Sequence, residues 1–174
     1  MANLPPELVL TGRLVRLRPV VPADHARLEV ILGEPSVARW WTAPSDAGAA
    51  ADWLASDGAL PFVIEHDGVV VGSIQVEEEL ERDYRFASID LFLTTEAQGR
   101  GLGPDAIRTV AHYLLDVRDH RRLTIDPAVA NQHAIRAYTK VGFRPVGVMR
   151  AYERSPDGTW HDNLLMDLLA GELV

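Results

Sequence analysis

Two adjoining segments decide the fold: Ser88-Ile89-Asp90-Leu91-Phe92-Leu93 and Gln98-Gly99-Arg100-Gly101-Leu102-Gly103-Pro104. The first is an apolar run broken by one carboxylate, and it predicts a strand. The second sets glycines at 99, 101 and 103 just before Ile107, Val110, Ala111, Leu114 and Leu115, whose spacing predicts a helix over 104–117. A strand, a glycine turn and a helix in that order make an anion site. Glycine lets the backbone turn tightly and come close to a ligand. N–H groups aimed into the turn, with the positive end of the helix behind them, attract negative charge. Arg100 adds a cation, and a pyrophosphate fits.

Two familiar phosphate loops are ruled out by spacing. A P-loop needs Gly-Lys-Ser/Thr, which is missing here. Counted from Gly101, the dinucleotide pattern reads Gly-Leu-Gly-Pro-Asp-Ala, a G/A match that lies mid-chain with no acidic residue well placed after the next strand. An ordinary strand–helix turn that happens to contain glycine is the plain alternative.

Upstream, Thr11 to Leu17 alternates apolar and polar residues and predicts an edge strand. Pro22-Ala23-Asp24 opens a helix to about Leu32, and Gly33 to Ser36 is a turn before Trp40-Trp41. A second helix over 47–56 is capped by Ser45 or Asp46. Pro61 to Glu65 and Val69 to Val76 form a hairpin across His66-Asp67-Gly68. Glu77 to Arg85 reads as a charged, flexible connection.

Downstream, Leu123-Thr124-Ile125 is a short buried strand. Asn131 caps a helix over 132–141 that Gly142 ends. Strands near 146–153 and 161–169 are joined at Ser155-Pro156-Asp157-Gly158. The order is β-α-α-β-β-β-α-β-α-β-β. It predicts one α+β domain over 1–174 with a central mixed, mostly antiparallel sheet flanked by helices.

Composition narrows the classes of function. The 174 residues suit one domain, and 47% hydrophobic with 24% charged residues is ordinary for a globular chain. There are no cysteines, so disulfides, thiolate metal sites and a cysteine nucleophile are excluded. The six histidines show no metal spacing, although His161 at a strand start could face a cleft. A net charge of -8 disfavours nucleic acid as a partner and favours cationic ligands, unless it serves solubility alone. No apolar run approaches membrane-spanning length and Met1 to Glu7 does not read as a signal peptide, so no membrane partner is expected and the cytoplasm is the expected compartment.

Gln98-x-x-Gly101-x-Gly103, followed by Asn131-x-x-Ala134-x-x-x-Tyr138 and Gly142-Phe143, resembles the paired signatures of the GNAT superfamily of N-acetyltransferases. The resemblance covers nearly the whole chain. It implies acetyl-CoA as cosubstrate, no metal, and direct attack of an amine on the thioester. It places Leu91, Phe92 and Leu93 beside the pantetheine arm, with Gln98, Gly99, Arg100, Gly101, Leu102 and Gly103 around the pyrophosphate. Pro104, lacking an N–H, departs from a fully donating loop but suits a first helical turn. Asn131 would contact the arm, and Tyr138 would be the general acid toward the leaving thiolate. Without the motif, Asn131 is a helix cap and Tyr138 a core aromatic.

Asp90 interrupts an apolar strand, where a carboxylate is costly unless paired or useful. Asp126 closes the neighbouring short strand ahead of Pro127. These positions, with Arg39-Trp40-Trp41 and the stretch 124–143, look like aminoglycoside 6′-N-acetyltransferases. That resemblance implies Asp90 as base and Asp126 as a substrate contact, with Trp41 and Glu77 to Tyr84 lining the open end of the acceptor site. The acidic Glu77-to-Asp83 run departs from the tryptophan-rich loop of that family. It fits a polycationic acceptor, or is simply a solvated loop. The partner implied is a cationic small-molecule amine, the protein being a monomer or homodimer. Competing readings are an acyltransferase for a siderophore-type hydroxylysine or a protein N-terminus, and a non-catalytic acyl-CoA-binding module.

Overall fold

The computed structural model describes residues 5, 7–41, 59–155 and 157–174. The strands are β1 (Leu10–Thr11), β2 (Arg16–Pro19), β3 (Ala59–His66), β4 (Val69–Glu79), β5 (Phe86–Leu93), β6 (Arg122–Ile125), β7 (Arg144–Arg154) and β8 (Trp160–Leu169). They form one sheet in the order β1-β2-β3-β4-β5-β6-β8-β7. The β5–β6 pair is parallel and the other neighbours are antiparallel. The helices are α1 (His25–Leu32), α2 (Pro35–Ala38), α3 (Leu102–His112), which continues as a π-turn over Tyr113–Val117, and α4 (Gln132–Thr139). Among the described residues, no helix is long and apolar enough to cross a membrane.

Strand periodicity sorts the two faces. Phe62, Ile74, Val76, Ile89, Leu123 and Ile125 belong to one apolar core with Ile107, Val110 and Leu114 of the α3 region. On the opposite face Val63 and Phe92 pack under Leu28, Ile31 and Leu32 of α1 and Val37 of α2. Further along that second face the residues turn polar. Gln75 pairs with Asp90, Glu77 with Ser88, and Ser88 with Thr124. This polar stretch is the floor of the cleft described below.

Three expectations change. The strand foreseen over Thr11 to Leu17 is broken between β1 and β2, because the carboxylate of Asp105 on α3 captures the N–H groups of Arg13, Leu14 and Val15 at 3.3, 2.7 and 3.1 Å. Gly12 permits this, since a Cβ there would lie 2.5 Å from Asp105 Oδ2. The turn foreseen at Gly33 to Ser36 runs into the one-turn helix α2. The connection foreseen from Glu77 belongs to β4 as far as Glu79. Glu78 is no solvated charge: its side chain is 3% exposed and is held by Arg118 at 2.6 Å and by His120 at 2.6 Å. The helix expected over 47–56, with its cap, lies outside the described residues, as does Pro156.

Candidate active site

The glycine loop folds as its composition requires. Gly99 and Gly101 take φ of 73° and 82°, in the left-handed region that disfavours side chains, and α3 starts at Leu102. Pro104 occupies the first turn, where its missing N–H would have had no helical partner. The loop is pinned to the end of β5, since Gln98 Nε2 donates to the Leu93 carbonyl at 2.9 Å and to Ser36 Oγ at 3.2 Å. Glu34, just before α2, accepts from Thr94 Oγ1 and from the Thr95 N–H, each at 2.6 Å. Burial alone would raise the Glu34 carboxyl, but these hydrogen bonds outweigh it and hold it below its ordinary range.

Beside the loop the sheet splits. The β5–β6 register covers only Ala87↔Leu123 and Ser88↔Thr124. Past Ile125 the chain follows β8 instead. Leu164 N–H donates to the Pro127 carbonyl at 2.8 Å, Val129 N–H to the Asp162 carbonyl at 2.9 Å, and Asn163 Nδ2 to the Asp126 carbonyl at 2.8 Å. The β5 edge from Ile89 to Leu93 is thereby left open to a ligand, next to a loop built for an anion. The resulting cleft has a volume of about 1770 Å³. A pocket for one small molecule holds roughly 300–1,000 Å³, so there is room for two ligands.

Charge is divided along this cleft. Arg13, Arg108, Arg136 and Lys140 line it on the β1–β2 turn, α3 and α4. Glu77, Asp90, Asp126 and Glu153 line it on the polar face of the strands and their ends. Asp105 also lines it on α3 and Arg122 on β6, but Asp105 is bonded to the β1–β2 turn and Arg122 is paired with Asp167, so the helix side is left positive for an anionic ligand and the strand side negative for a cationic one.

Asp90 is open to the cleft yet surrounded by protein elsewhere. That desolvation, and then the charges of Asp126, Glu77 and Glu153, push its carboxyl up to about 7. Asp126 is raised by burial and by Glu153 and Glu77, against a hydrogen bond from the Tyr152 hydroxyl. Tyr138 sits on α4 across the split. Burial, then Asp90 and Asp126, raise its phenol and keep it protonated. A proton acceptor poised near neutrality and a neutral proton donor therefore influence each other across the gap where the β5 edge is open.

The structure brings Asp90, Leu91, Phe92, Leu93, Gln98, Gly99, Gly101, Gly103, Pro104, Asn131, Asp126, Tyr138, Trp41 and Glu77 to this cleft. Asn131 also caps α4, its Oδ1 accepting from the Ala134 N–H at 3.2 Å. Trp41 packs edge-on against Phe92, with centroids 5.4 Å apart, while Arg39 lies over the Trp40 ring at 4.6 Å. Three expected residues lie off the cleft wall. Arg100 extends toward His66 Nε2 at 3.3 Å, Leu102 is buried in the core, and Tyr84 is 74% exposed in the turn after β4. Among the described residues no group of three or more His, Asp or Glu is set to hold a metal.

Sequence reasoning missed Asp105, Tyr152, Glu153 and Asn163. Asn163 carried a usable signal, being a polar residue just before the apolar run Leu164-Leu165-Met166, as Asp90 is within its own strand. Asp105 carried none, because an acidic residue in a first helical turn is common.

The model of the acetyltransferase (GNAT) domain matches residues 14–144. The aminoglycoside N(6′)-acetyltransferase type 1 of Klebsiella pneumoniae is 27% identical over 164 residues, covering 83% of this chain and 79% of that protein. The spermidine N(1)-acetyltransferase of Escherichia coli (strain K12) is 27% identical over 139 residues, covering 76% and 74%. Among solved structures, Mycobacterium smegmatis RimJ in complex with CoA-disulfide superposes with a TM-score of 0.82 at 24% identity, covering 97% of this chain and 90% of that one. The split sheet, the glycine loop and the matched domain agree: the chain belongs to the GNAT acetyltransferase family and is an acyl-CoA-dependent N-acetyltransferase.

Proposed function

We propose that the protein transfers the acetyl group of acetyl-CoA to an amine of a polycationic small molecule, foremost the 6′-amine of an aminoglycoside, in the cytoplasm. One observation carries the reading: Asp90, poised near neutrality, opens on a cleft end whose other walls carry Glu77, Asp126 and Glu153. The two relatives described above are named for cationic amine acceptors, an aminoglycoside and a polyamine. The second favours a polyamine as the alternative acceptor.

The chemistry follows from the groups present. An ammonium enters the acidic end and gives one proton to the Asp90 carboxylate, directly or through a water. The neutral nitrogen attacks the thioester carbonyl carbon, the C–N bond forms and the C–S bond breaks. Tyr138 gives its proton to the leaving thiolate, and the second proton that the nitrogen sheds on becoming an amide returns to Tyr138, so that one net proton, on Asp90, passes to solvent. In the resting site the charges of Asp90 and Asp126 oppose ionisation of Tyr138. When Asp90 takes the amine proton it becomes neutral, and one of these opposing charges disappears. Proton uptake at Asp90 thus favours proton release at Tyr138, coupling the two ends of the reaction. On the cofactor side, the amides of Gly99 to Gly103 and the α3 N-terminus would hold the pyrophosphate, and Leu91 to Leu93 would run beside the pantetheine arm.

Release of free thiol from acetyl-CoA tests this, with kanamycin, spermidine, N-hydroxylysine and a short peptide as acceptors. Saturable release with kanamycin, yielding the 6′-acetylated product, is expected. Expression in a sensitive bacterium should then raise the kanamycin concentration needed to stop growth. Release with the peptide alone would overturn the acceptor assignment.

A further inference from the structure

The loop that begins at Gln98 is braced by a carboxylate at the head of α2. Glu34 stands at the N-cap position of that helix, where an acidic side chain ordinarily bonds the free N–H groups of its own first turn. It makes no such bond and reaches instead to a segment sixty residues on. Its Oε1 accepts from Thr94 Oγ1 at 2.6 Å, and its Oε2 accepts from both the N–H and the hydroxyl of Thr95, each at 2.6 Å. Short bonds to a carboxylate are charge-assisted, so three of them outweigh an ordinary surface contact.

Counting hydrogens gives this network a direction. A hydroxyl has one hydrogen to donate. That of Thr95 goes to Glu34, so Ser36 must donate where the two hydroxyls meet at 2.6 Å. Ser36 Oγ in turn accepts from Gln98 Nε2 at 3.2 Å, and the other hydrogen of that amide goes to the Leu93 carbonyl at 2.9 Å. From Gln98 through Ser36 and Thr95, each donor points toward the Glu34 charge. Bonds aligned in this way polarise one another. The Gln98 amide is thereby held against Leu93, where β5 ends and the glycine loop begins.

α2 has little of its own to fix it. It is a single turn, too short to be stable alone. Val37 and Trp41 hold it to Phe92 of β5, and the Glu34 clamp holds it to the loop. Ser36, Trp41, Gln98 and Gly99 all line the cleft, whereas Glu34 lies off its wall among the described residues. The carboxylate therefore acts on the site through its partners.

We propose that Glu34 is a positioning residue for the cofactor: by ending the chain from Gln98 through Ser36 and Thr95 it fixes the entry to the glycine loop, so that the pyrophosphate-binding amides are set before coenzyme A arrives. This rests on the coenzyme A reading of the loop and holds whichever amine is the acceptor.

Calorimetry with coenzyme A on the full chain, thermal unfolding without ligand, and thiol release from acetyl-CoA with kanamycin or spermidine test it. Glu34→Ala and Ser36→Ala should each raise the Kd for coenzyme A about five- to tenfold. The KM for acetyl-CoA should rise in step, with kcat within about twofold of wild type. Ser36→Ala puts a good helix former at a partly exposed position, so its Tm should stay within about 2 °C of wild type, which separates positioning from loss of the fold. The double variant should bind no more weakly than Glu34→Ala alone, since both cut one chain. Glu34→Gln keeps an oxygen for the two Thr95 donors and should recover most of the affinity. Wild-type affinity in both single variants, or losses that add in full in the double variant, would overturn the role of Glu34 and leave the transferase reading standing. A wild-type protein that binds no coenzyme A would overturn the loop reading together with it.

Discussion

Replacing Asp90 with Asn should stabilise the protein while abolishing its chemistry. The folded state raises the Asp90 carboxyl from 3.8 to about 7. The fold therefore favours the protonated form, and stability is lost progressively as pH rises from about 4 through 7. Each tenfold change in proton affinity is worth about 1.4 kcal/mol, giving an upper figure of about 4 kcal/mol above pH 7. Water in the cleft reaches this carboxylate, so screening reduces the figure to about 1–2 kcal/mol. For a chain of this size that is a rise of about 2–8 °C in the Tm of Asp90→Asn at pH 8. At pH 3 wild type and variant should melt within about 1 °C of each other, because below 3.8 the carboxyl is largely protonated in the folded and unfolded states alike. Thermal unfolding followed by circular dichroism at the two pH values checks this. A variant that melts lower than wild type at pH 8, or a gap of equal size at both pH values, would refute the idea that Asp90 is held charged at the expense of the fold.

Other changes should separate chemistry from scaffold. Tyr138→Phe should lower kcat by about 10²- to 10³-fold while CoA affinity by calorimetry stays within a few-fold, as loss of a proton donor requires. Glu78→Ala leaves Arg118 and His120 facing a buried gap, and it should cost about 2–3 kcal/mol, read as a fall of about 5–10 °C in Tm. Asp105→Ala strands the three backbone N–H groups of the β1–β2 turn, and urea unfolding should show a loss of about 2–3 kcal/mol together with weaker CoA binding.

The elements around the glycine loop were legible because their signals are local. Gly99, Gly101 and the apolar spacing of α3 specify turn and helix without outside help, and Asp67-Gly68 specifies its hairpin. Asp90 was legible as a polar residue in an apolar strand. What lay hidden depends on contacts distant in sequence. The break between β1 and β2 follows from Asp105, about ninety residues on. Glu78 reads as one of a charge run until Arg118 and His120 are seen beneath it. The charge division of the cleft needed the sheet order, which brings Glu77, Asp126 and Glu153 from three strands to one end. Tyr152 and Glu153 reach the cleft where β7 slips its register against β8 between Met149 and Glu153, which no period-2 pattern announces.

The central claim is that Asp90 accepts the proton of the attacking amine. The most direct measurement is kcat for thiol release with saturating acetyl-CoA and kanamycin between pH 5.5 and 9, for wild type and Asp90→Asn. Wild type should show a limb that rises with pH and bends near 7, and the variant should lose both the limb and most of the rate. A flat wild-type profile across that range, or a variant that keeps the limb and the rate, would contradict the account.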